Sequence, residues 1–388
     1  MDYGFDSRTI AQLQLEGSRK WTAFPGSICM WVAEMDLGIA PEIRDYLIAE
    51  ARRGTLGYLP PQEATEIVEA TATWLSQFGE KPEPKRMHLI PEVLAGLRVA
   101  IDYFTPAGAP VIVPTPAYMP FLTIPGENGH EVREIPSIFD ASRWEMDFEA
   151  IEATLEPDAL FILCNPHNPT GRCFSREELT RLSDIIDRAG ARVFEDGIHA
   201  PLILDGTYIP YGTLNDATRT HTISAVAASK GWNIPGLKCA QLIFHNDDDA
   251  TRFEPHTHAI CAATSTVGAR AARVAFEEAG AWRTAAGAYL AENMRILEER
   301  VAGWDGARVA HAEGTYIAFI DFSETRFMKE ALAEDPHANA AKIILERAGV
   351  ALTTGTACGA EYGAWARLIA ATPRAVLHAA LDAIETLM

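Results

Sequence analysis

Between residues 86 and 245, short apolar runs alternate with stretches of helical periodicity. The runs predict strands over 109–114, 131–135, 159–164, 191–194, 222–226 and 239–244. LFILC and AQLIF are apolar without alternation, the pattern of strands covered on both faces. Between two of the runs lies FSREELTRLSDIIDRAG. It carries Ser175 and Glu178 as a capping box and Gly190 past its end, so a helix with both ends marked is expected. Strand, helix, strand at this spacing is a βαβ unit and implies a mostly parallel sheet.

Beyond residue 256 the pattern changes. Residues 258–301 read as one long helical stretch broken only around Gly280, followed by a strand over 315–321. A helix over 338–348, strands over 350–353 and 365–370, and a last helix after Thr372-Pro373 complete the chain. Thr372 reads as the N-cap of that helix, with proline at its first position. The expectation is an α/β protein with a mostly parallel central sheet in a large domain (46–280) and a smaller α+β domain (1–45 and 281–388). No Gly/Ser-rich tether or repeat separates them, so rigid packing is expected.

Composition narrows the function classes. With 48% apolar and 22% charged residues in a chain of 388, a large core is available and disorder is not expected. The net charge of −20 has the wrong sign for gripping a phosphate backbone, so no nucleic-acid partner is expected. No window approaches the roughly 18–20 uninterrupted apolar residues of a membrane span. The opening MDYGFDSRTIAQLQLEGSRK has no apolar core of the kind a signal peptide needs, and a cytoplasmic location is expected. Six scattered cysteines without a C-x-x-C pair read as buried thiols, not as a disulfide framework. Zinc, Walker A, G-x-G-x-x-G and G-x-S-x-G motifs do not occur, so no metal is expected.

Three strings carry chemistry. NPHNPTGRCF (165–174) puts a rigid turn directly after an apolar strand, where open α/β sheets bind ligands, although a plain turn-forming loop has the same composition. In VFEDGIHAP, Asp196 ends another apolar strand; a helix cap, a solvated carboxylate and a partner for a cationic ring nitrogen all suit that position. In ASKGWNIPGLKCA (228–240), Lys230 sits between a buried strand and a glycine-containing turn, poorly placed to reach solvent. A desolvated amine there has its pKa lowered and becomes a Schiff-base nucleophile.

Taken in order, these strings resemble the fold-type I pyridoxal-phosphate enzymes of the class I/II aminotransferase superfamily, and in particular the cystathionine β-lyase-like C–S lyases. WVAEMDLGIAP, GYLP, PTPAYMPF, NPHNPTG, the Asp196 strand, SKGWNIPGLKCA and RLIAATPR follow in family order over nearly the whole chain. The resemblance implies pyridoxal 5′-phosphate as cofactor. Lys230 matches the lysine that holds it as a Schiff base and then moves the Cα proton. Asp196 matches the carboxylate that keeps the pyridine nitrogen protonated, Asn168 and His199 the residues near the ring oxygen, and Tyr118 the aromatic that stacks on the ring. The backbone of Val93 and Leu94, opening a helix, matches the phosphate cradle, with Lys238 as its cation. Arg367 matches the arginine that grips the substrate carboxylate. Tyr58 matches a tyrosine that reaches the phosphate or substrate from a neighbouring subunit, which implies a homodimer with shared active sites.

Three departures stand out. Gly197 occupies a position where this branch usually has glutamate, Ala227 one where many relatives have a hydroxyl, and Trp232 one where phenylalanine is usual. The activity implied is a carbon–sulfur β-lyase that cleaves L-cystathionine or S-substituted L-cysteines to thiol, pyruvate and ammonia. The alternative is a class I/II aminotransferase. A transcription-regulator effector domain of this kind would need a basic DNA-binding module, which the first 30 residues do not resemble.

Overall fold

The structure is a computed structural model and describes residues 3–79, 81–140 and 142–388. Its centre is a seven-stranded sheet of β1 (Met87–Ile90), β2 (Val111–Thr115), β3 (Val132–Pro136), β4 (Leu160–Cys164), β5 (Arg192–Asp196), β6 (Thr222–Val226) and β7 (Ala240–Phe244). The spatial order is β1-β7-β6-β5-β4-β2-β3. All neighbours are parallel except β7, which runs antiparallel to both β1 and β6. The six strands expected from the sequence are present, within one or two residues at their ends. The short MHLI strand β1 is an addition to them.

The missing alternation in the apolar runs has the cause it suggested, since β4, β6 and β7 are buried along their whole length. Leu160 and Ile162 join the core beneath the helix Val93–Phe104, whereas Phe161 and Leu163 join the one beneath the helix Arg176–Ala189. The capping box at Ser175 forms, and Gly190 closes the helix at φ 66°.

A second sheet contains β8 (Arg308–Val309), β9 (Ile317–Asp321), β10 (Thr353–Thr354) and β11 (Trp365–Ile369), in the order β8-β9-β11-β10 with antiparallel pairings. One face packs on the helices Gly280–Ala302 and Arg374–Glu385 through Leu297, Val301, Leu377 and Leu381. The N-terminal segment is stitched to this half. Ile28–Cys29 pairs in parallel with Val350–Ala351, and the amide of Asp36 donates to the carbonyl of Ala371 at 2.9 Å. The expected domain limits fall at a helix Pro41–Arg53, which contains residues 45 and 46, and at the first residues of Gly280–Ala302.

Two helix expectations need correction. The stretch 258–301 is three helices, Thr257–Cys261, Thr266–Glu277 and Gly280–Ala302, because Ser265 caps a new start with its hydroxyl on the amide of Gly268. Thr372 does not cap the last helix. The N-cap is Pro373, the Thr372 hydroxyl is buried without a partner, and the amide of Arg374 is capped by Asp6 and Tyr289, at 2.9 and 2.8 Å. A cap brought from the other end of the chain leaves no local pattern. No helix among the described residues is long and apolar enough to cross a membrane.

Gly171, in the turn after β4, shows what the two halves demand of each other. It has φ +75°, and a Cβ there would lie 2.6 Å from the Cβ of Ala312 in the segment leading to β9. Gly171→Ala therefore combines left-handed strain with a clash against another segment. It is expected to destabilise the fold by about 3 kcal/mol, read as a lower urea midpoint with an unchanged slope.

Candidate active site

The carboxyl ends of β1, β2, β4, β5 and β6 open on one cavity of about 740 Å³. This is where an open parallel sheet leaves backbone ends and loops free to meet a ligand. The turn Asn165–Cys173 follows β4, Asp196 ends β5, Ala227, Ser229 and Lys230 follow β6, and Tyr118 follows β2. From the second sheet Thr353 and Arg367 close the cavity, and from the N-terminal segment so do Trp31 to Glu34.

Strand alternation decides which carboxylate enters. Glu195 and Asp196 are adjacent and both buried, but they point to opposite faces of β5. Glu195 is saturated: it accepts from the Tyr208 and Ser224 hydroxyls and from the amides of Tyr211 and Gly212. Asp196 faces the cavity and accepts from the amide of Ile198 at 2.9 Å. Burial pushes its carboxyl up from 3.8 to about 7, against the pull of that amide and of Lys230. The same alternation on β11 sends Ala366 and Leu368 into the core and Arg367 into the cavity.

Lys230 donates to the carbonyl of Ala33 at 2.7 Å. Burial first, and Arg367 second, lower its amine from 10.5 to about 8, while Glu34 and Asp196 oppose the shift. Arg367 is held by the Asn168 side-chain oxygen (3.1 Å), the Trp31 carbonyl (3.2 Å) and the Thr353 hydroxyl (3.4 Å), and its Nε is buried without a partner. His199 is buried, with Nδ1 unpartnered, and burial together with Lys230 and Arg367 keeps its ring neutral. Val93 and Leu94 open the twelve-residue helix after β1, whose first-turn amides have no intrahelical acceptor. Lys238, at φ 52°, reaches the same helix end and pairs with the N-cap residue Glu92 at 2.5 Å.

Nine of the ten residues expected from the sequence thus line one cavity: Val93, Leu94, Tyr118, Asn168, Asp196, His199, Lys230, Lys238 and Arg367. Tyr58 does not. It is fully exposed, on the extended segment between the helices Pro41–Arg53 and Pro61–Leu75, and borders a separate cavity of about 700 Å³. Sequence reasoning passed over Arg19, Glu34, Glu92 and Ser229, which also line the main cavity. For Glu34 and Glu92 the signal available was a charged residue inside an otherwise apolar string, WVAEMD and IPEVLAGL; Arg19 and Ser229 carried none.

The departures have local causes. A Cβ at position 197 would sit 3.0 Å from both the Tyr208 hydroxyl and Val226, so any side chain there would have to shift these two neighbours by a few tenths of an ångström. Trp232 is fully buried against Trp74 and Phe276, with its indole N–H on the carbonyl of Ala279. Ala227 leaves Ser229 as the cavity-lining hydroxyl on that loop.

A mostly parallel α/β sheet whose strand ends present a half-buried lysine and a buried carboxylate to a cavity closed by an arginine defines the fold-type I class of pyridoxal-phosphate enzymes. The chain belongs to the aminotransferase class I and II family, which it matches over residues 29–384. It is 32% identical to the cystathionine β-lyase of Corynebacterium glutamicum, over 98% of this chain and 99% of that one. It is 28% identical to the cystathionine β-lyase PatB of Bacillus subtilis, covering 92% and 91%. Among solved structures, the PLP-bound C–S lyase of Staphylococcus hominis superposes with a TM-score of 0.88 at 25% identity, covering 99% and 98%.

A carboxyl with a raised pKa binds its proton more tightly in the folded than in the unfolded chain. Asp196 therefore costs stability progressively as pH rises from about 4 to about 7 in protein stripped of cofactor. Asp196→Asn removes that cost, so the stripped variant should gain stability relative to wild type across this range and level off above it. Urea unfolding at pH 4, 5.5 and 7 measures the difference; a constant offset would show that the Asp196 carboxyl titrates normally.

Proposed function

We infer that this protein is a pyridoxal-phosphate-dependent carbon–sulfur β-lyase that takes L-cystathionine or S-substituted L-cysteines to thiol, pyruvate and ammonia. The convergence of Lys230, Asp196 and Arg367 on one cavity carries the cofactor chemistry. The choice of lyase rests on full-length likeness to cystathionine β-lyases.

The residues fit pyridoxal 5′-phosphate. The cavity offers an amine for the aldehyde at Lys230, a buried carboxylate short of donors for the ring nitrogen at Asp196, and, for the ring oxygen, the Asn168 amide and an orphaned ring nitrogen at His199. Tyr118 gives an aromatic face, and the helix start at Val93 and Leu94, with Lys238 and Ser229, gives donors and a cation for the phosphate. When bound, the cofactor supplies an electron sink that acidifies the substrate Cα proton and lets charge pass to the leaving sulfur.

The chain's own groups do the rest. Arg367 turns its guanidinium into the cavity, and a substrate carboxylate can take two donors there by exchanging with the present contacts to Asn168, Trp31 or Thr353. That grip fixes which Cα bond faces the sink. The amine of Lys230, near 8, is close enough to neutrality to accept the Cα proton at its Nζ and to give one up later. Asp196 keeps its negative charge once a cation lies against it, because pairing offsets the burial that raises its pKa.

The working unit is proposed to be a homodimer with shared sites. Tyr58 and Leu56 are exposed apolar side chains on one extended segment, 101% and 64% accessible, with the grip of Pro61–Leu75 behind them. Surface of that kind fits a subunit contact, and Tyr58 would complete the neighbour's cavity. A cytoplasmic location suits six cysteines that are all unpaired.

Purified protein with bound cofactor should release thiol, pyruvate and ammonia in equal amounts from L-cystathionine without any keto acid. Turnover only on adding 2-oxoglutarate would mark an aminotransferase instead. Tyr58→Ala and Lys230→Ala should each be nearly inactive alone. Mixed under conditions that exchange subunits, they should recover up to about a quarter of wild-type activity, since one site in a hybrid carries both intact residues. No recovery after proven exchange would place each site within one chain.

A further inference from the structure

Most charges in the main cavity have a task in the reading above. Asp196, Lys230, Lys238 and Arg367 serve cofactor and α-carboxylate, and Glu92 is paired with Lys238. Two remain. Glu34 and Arg19 line the same cavity, and among the described residues neither side chain makes an ion pair or hydrogen bond. Their positions are built. Lys20 and Asp36 form a fully buried ion pair at 2.6 Å, the Trp21 indole donates to the other Asp36 oxygen at 2.8 Å, and the Trp31 indole donates to the Lys20 carbonyl at 2.9 Å. These contacts clamp the residues next to Arg19 against those next to Glu34. Asn233 fixes the far side by accepting from the amide of Met35 and donating to the carbonyls of Met35 and Gly38, each at 2.9 Å. The Arg19 guanidinium lies 5.9 Å from the Trp31 ring centroid, and Phe24 meets that ring edge-on at 5.6 Å.

Glu34 is half-buried and follows Ala33, whose carbonyl holds Lys230. Arg19 is exposed, and Trp31 and Phe24 give the same cavity an apolar wall beside it. An anion and a cation flanking an apolar wall match two methylenes that end in a carbon bearing both an ammonium and a carboxylate.

We propose that Glu34 and Arg19 form a subsite for a zwitterionic S-substituent, Glu34 taking the distal ammonium and Arg19 the distal carboxylate of L-cystathionine. This deepens the lyase reading and rests on it. An S-alkyl-L-cysteine reaches neither group. A charge fixed in a partly desolvated wall discriminates between such substrates because the matching ion gains an interaction that a neutral chain does not make.

The test is the ratio of kcat/KM for L-cystathionine to kcat/KM for S-ethyl-L-cysteine in wild type, Arg19→Ala and Glu34→Gln. Each variant should lower the ratio about tenfold, chiefly through KM for L-cystathionine. Calorimetry on Lys230→Ala, alone and combined with Arg19→Ala, should show a matching loss of L-cystathionine affinity without turnover. Arg19 is exposed, so its variant reports even if Glu34→Gln fails to fold. A ratio that stays within twofold in Arg19→Ala, or losses of equal size on both substrates, would overturn the subsite while leaving the lyase reading intact. Wild type that releases thiol from neither compound would overturn the lyase reading and the subsite with it.

Discussion

Everything around the cavity answers to the burial of charge. Asp196 and Arg367 are buried and Lys230 half-buried around one space, and each is short of the partners that would satisfy it. Burial moves the carboxyl up, and burial together with Arg367 moves the amine down, so both approach neutrality against each other's pull. A protein tolerates such groups only where a ligand completes them, because an unpaired buried charge is among the costliest features a fold can hold. Glu195, one residue away on the opposite face of β5, shows the contrast: four donors satisfy it, and it has no catalytic prospect.

The two sheets divide the labour. The parallel sheet supplies the residues proposed for the cofactor from successive strand ends, and their spacing follows from strand separation alone. The antiparallel sheet supplies Arg367, turned into the cavity by the alternation of β11. Between them runs the N-terminal segment, hydrogen-bonded to the second sheet at Met30 and Asp36 and held to the first half by Asn233. Its backbone carbonyls at Ala33 and Trp31 accept from Lys230 and Arg367, the two cations proposed for the reaction. The stretch after Cys29 therefore positions both cations, and the buried Lys20–Asp36 pair ties it to the preceding helix.

Close approach explains several residues that composition cannot. Gly171 lies where the turn after β4 meets Ala312, and Gly197 where β5 meets Tyr208 and Val226. Both sit in the strings that carried the resemblance. At Gly171 backbone conformation and contact both demand glycine, whereas at Gly197 only a tight contact favours it.

The local pattern was enough for the parallel sheet, the capped helix Arg176–Ala189 and the identity of the cavity's central residues. Strand burial, caps and turns are written in neighbouring side chains, and the ordered strings around Asn168, Asp196 and Lys230 are specific together. The break after Cys261, the cap of the last helix by Asp6, and the unpaired charges of Arg19 and Glu34 were not legible, because each depends on groups distant in sequence. Tyr58 marks the limit most clearly. Its GYLP motif says nothing of which cavity it serves, and one folded chain leaves it fully in solvent. Short-range sequence determines elements and residue chemistry; only tertiary packing decides which charges face one another across a buried space, since that depends on long-range register and not on spacing along the chain.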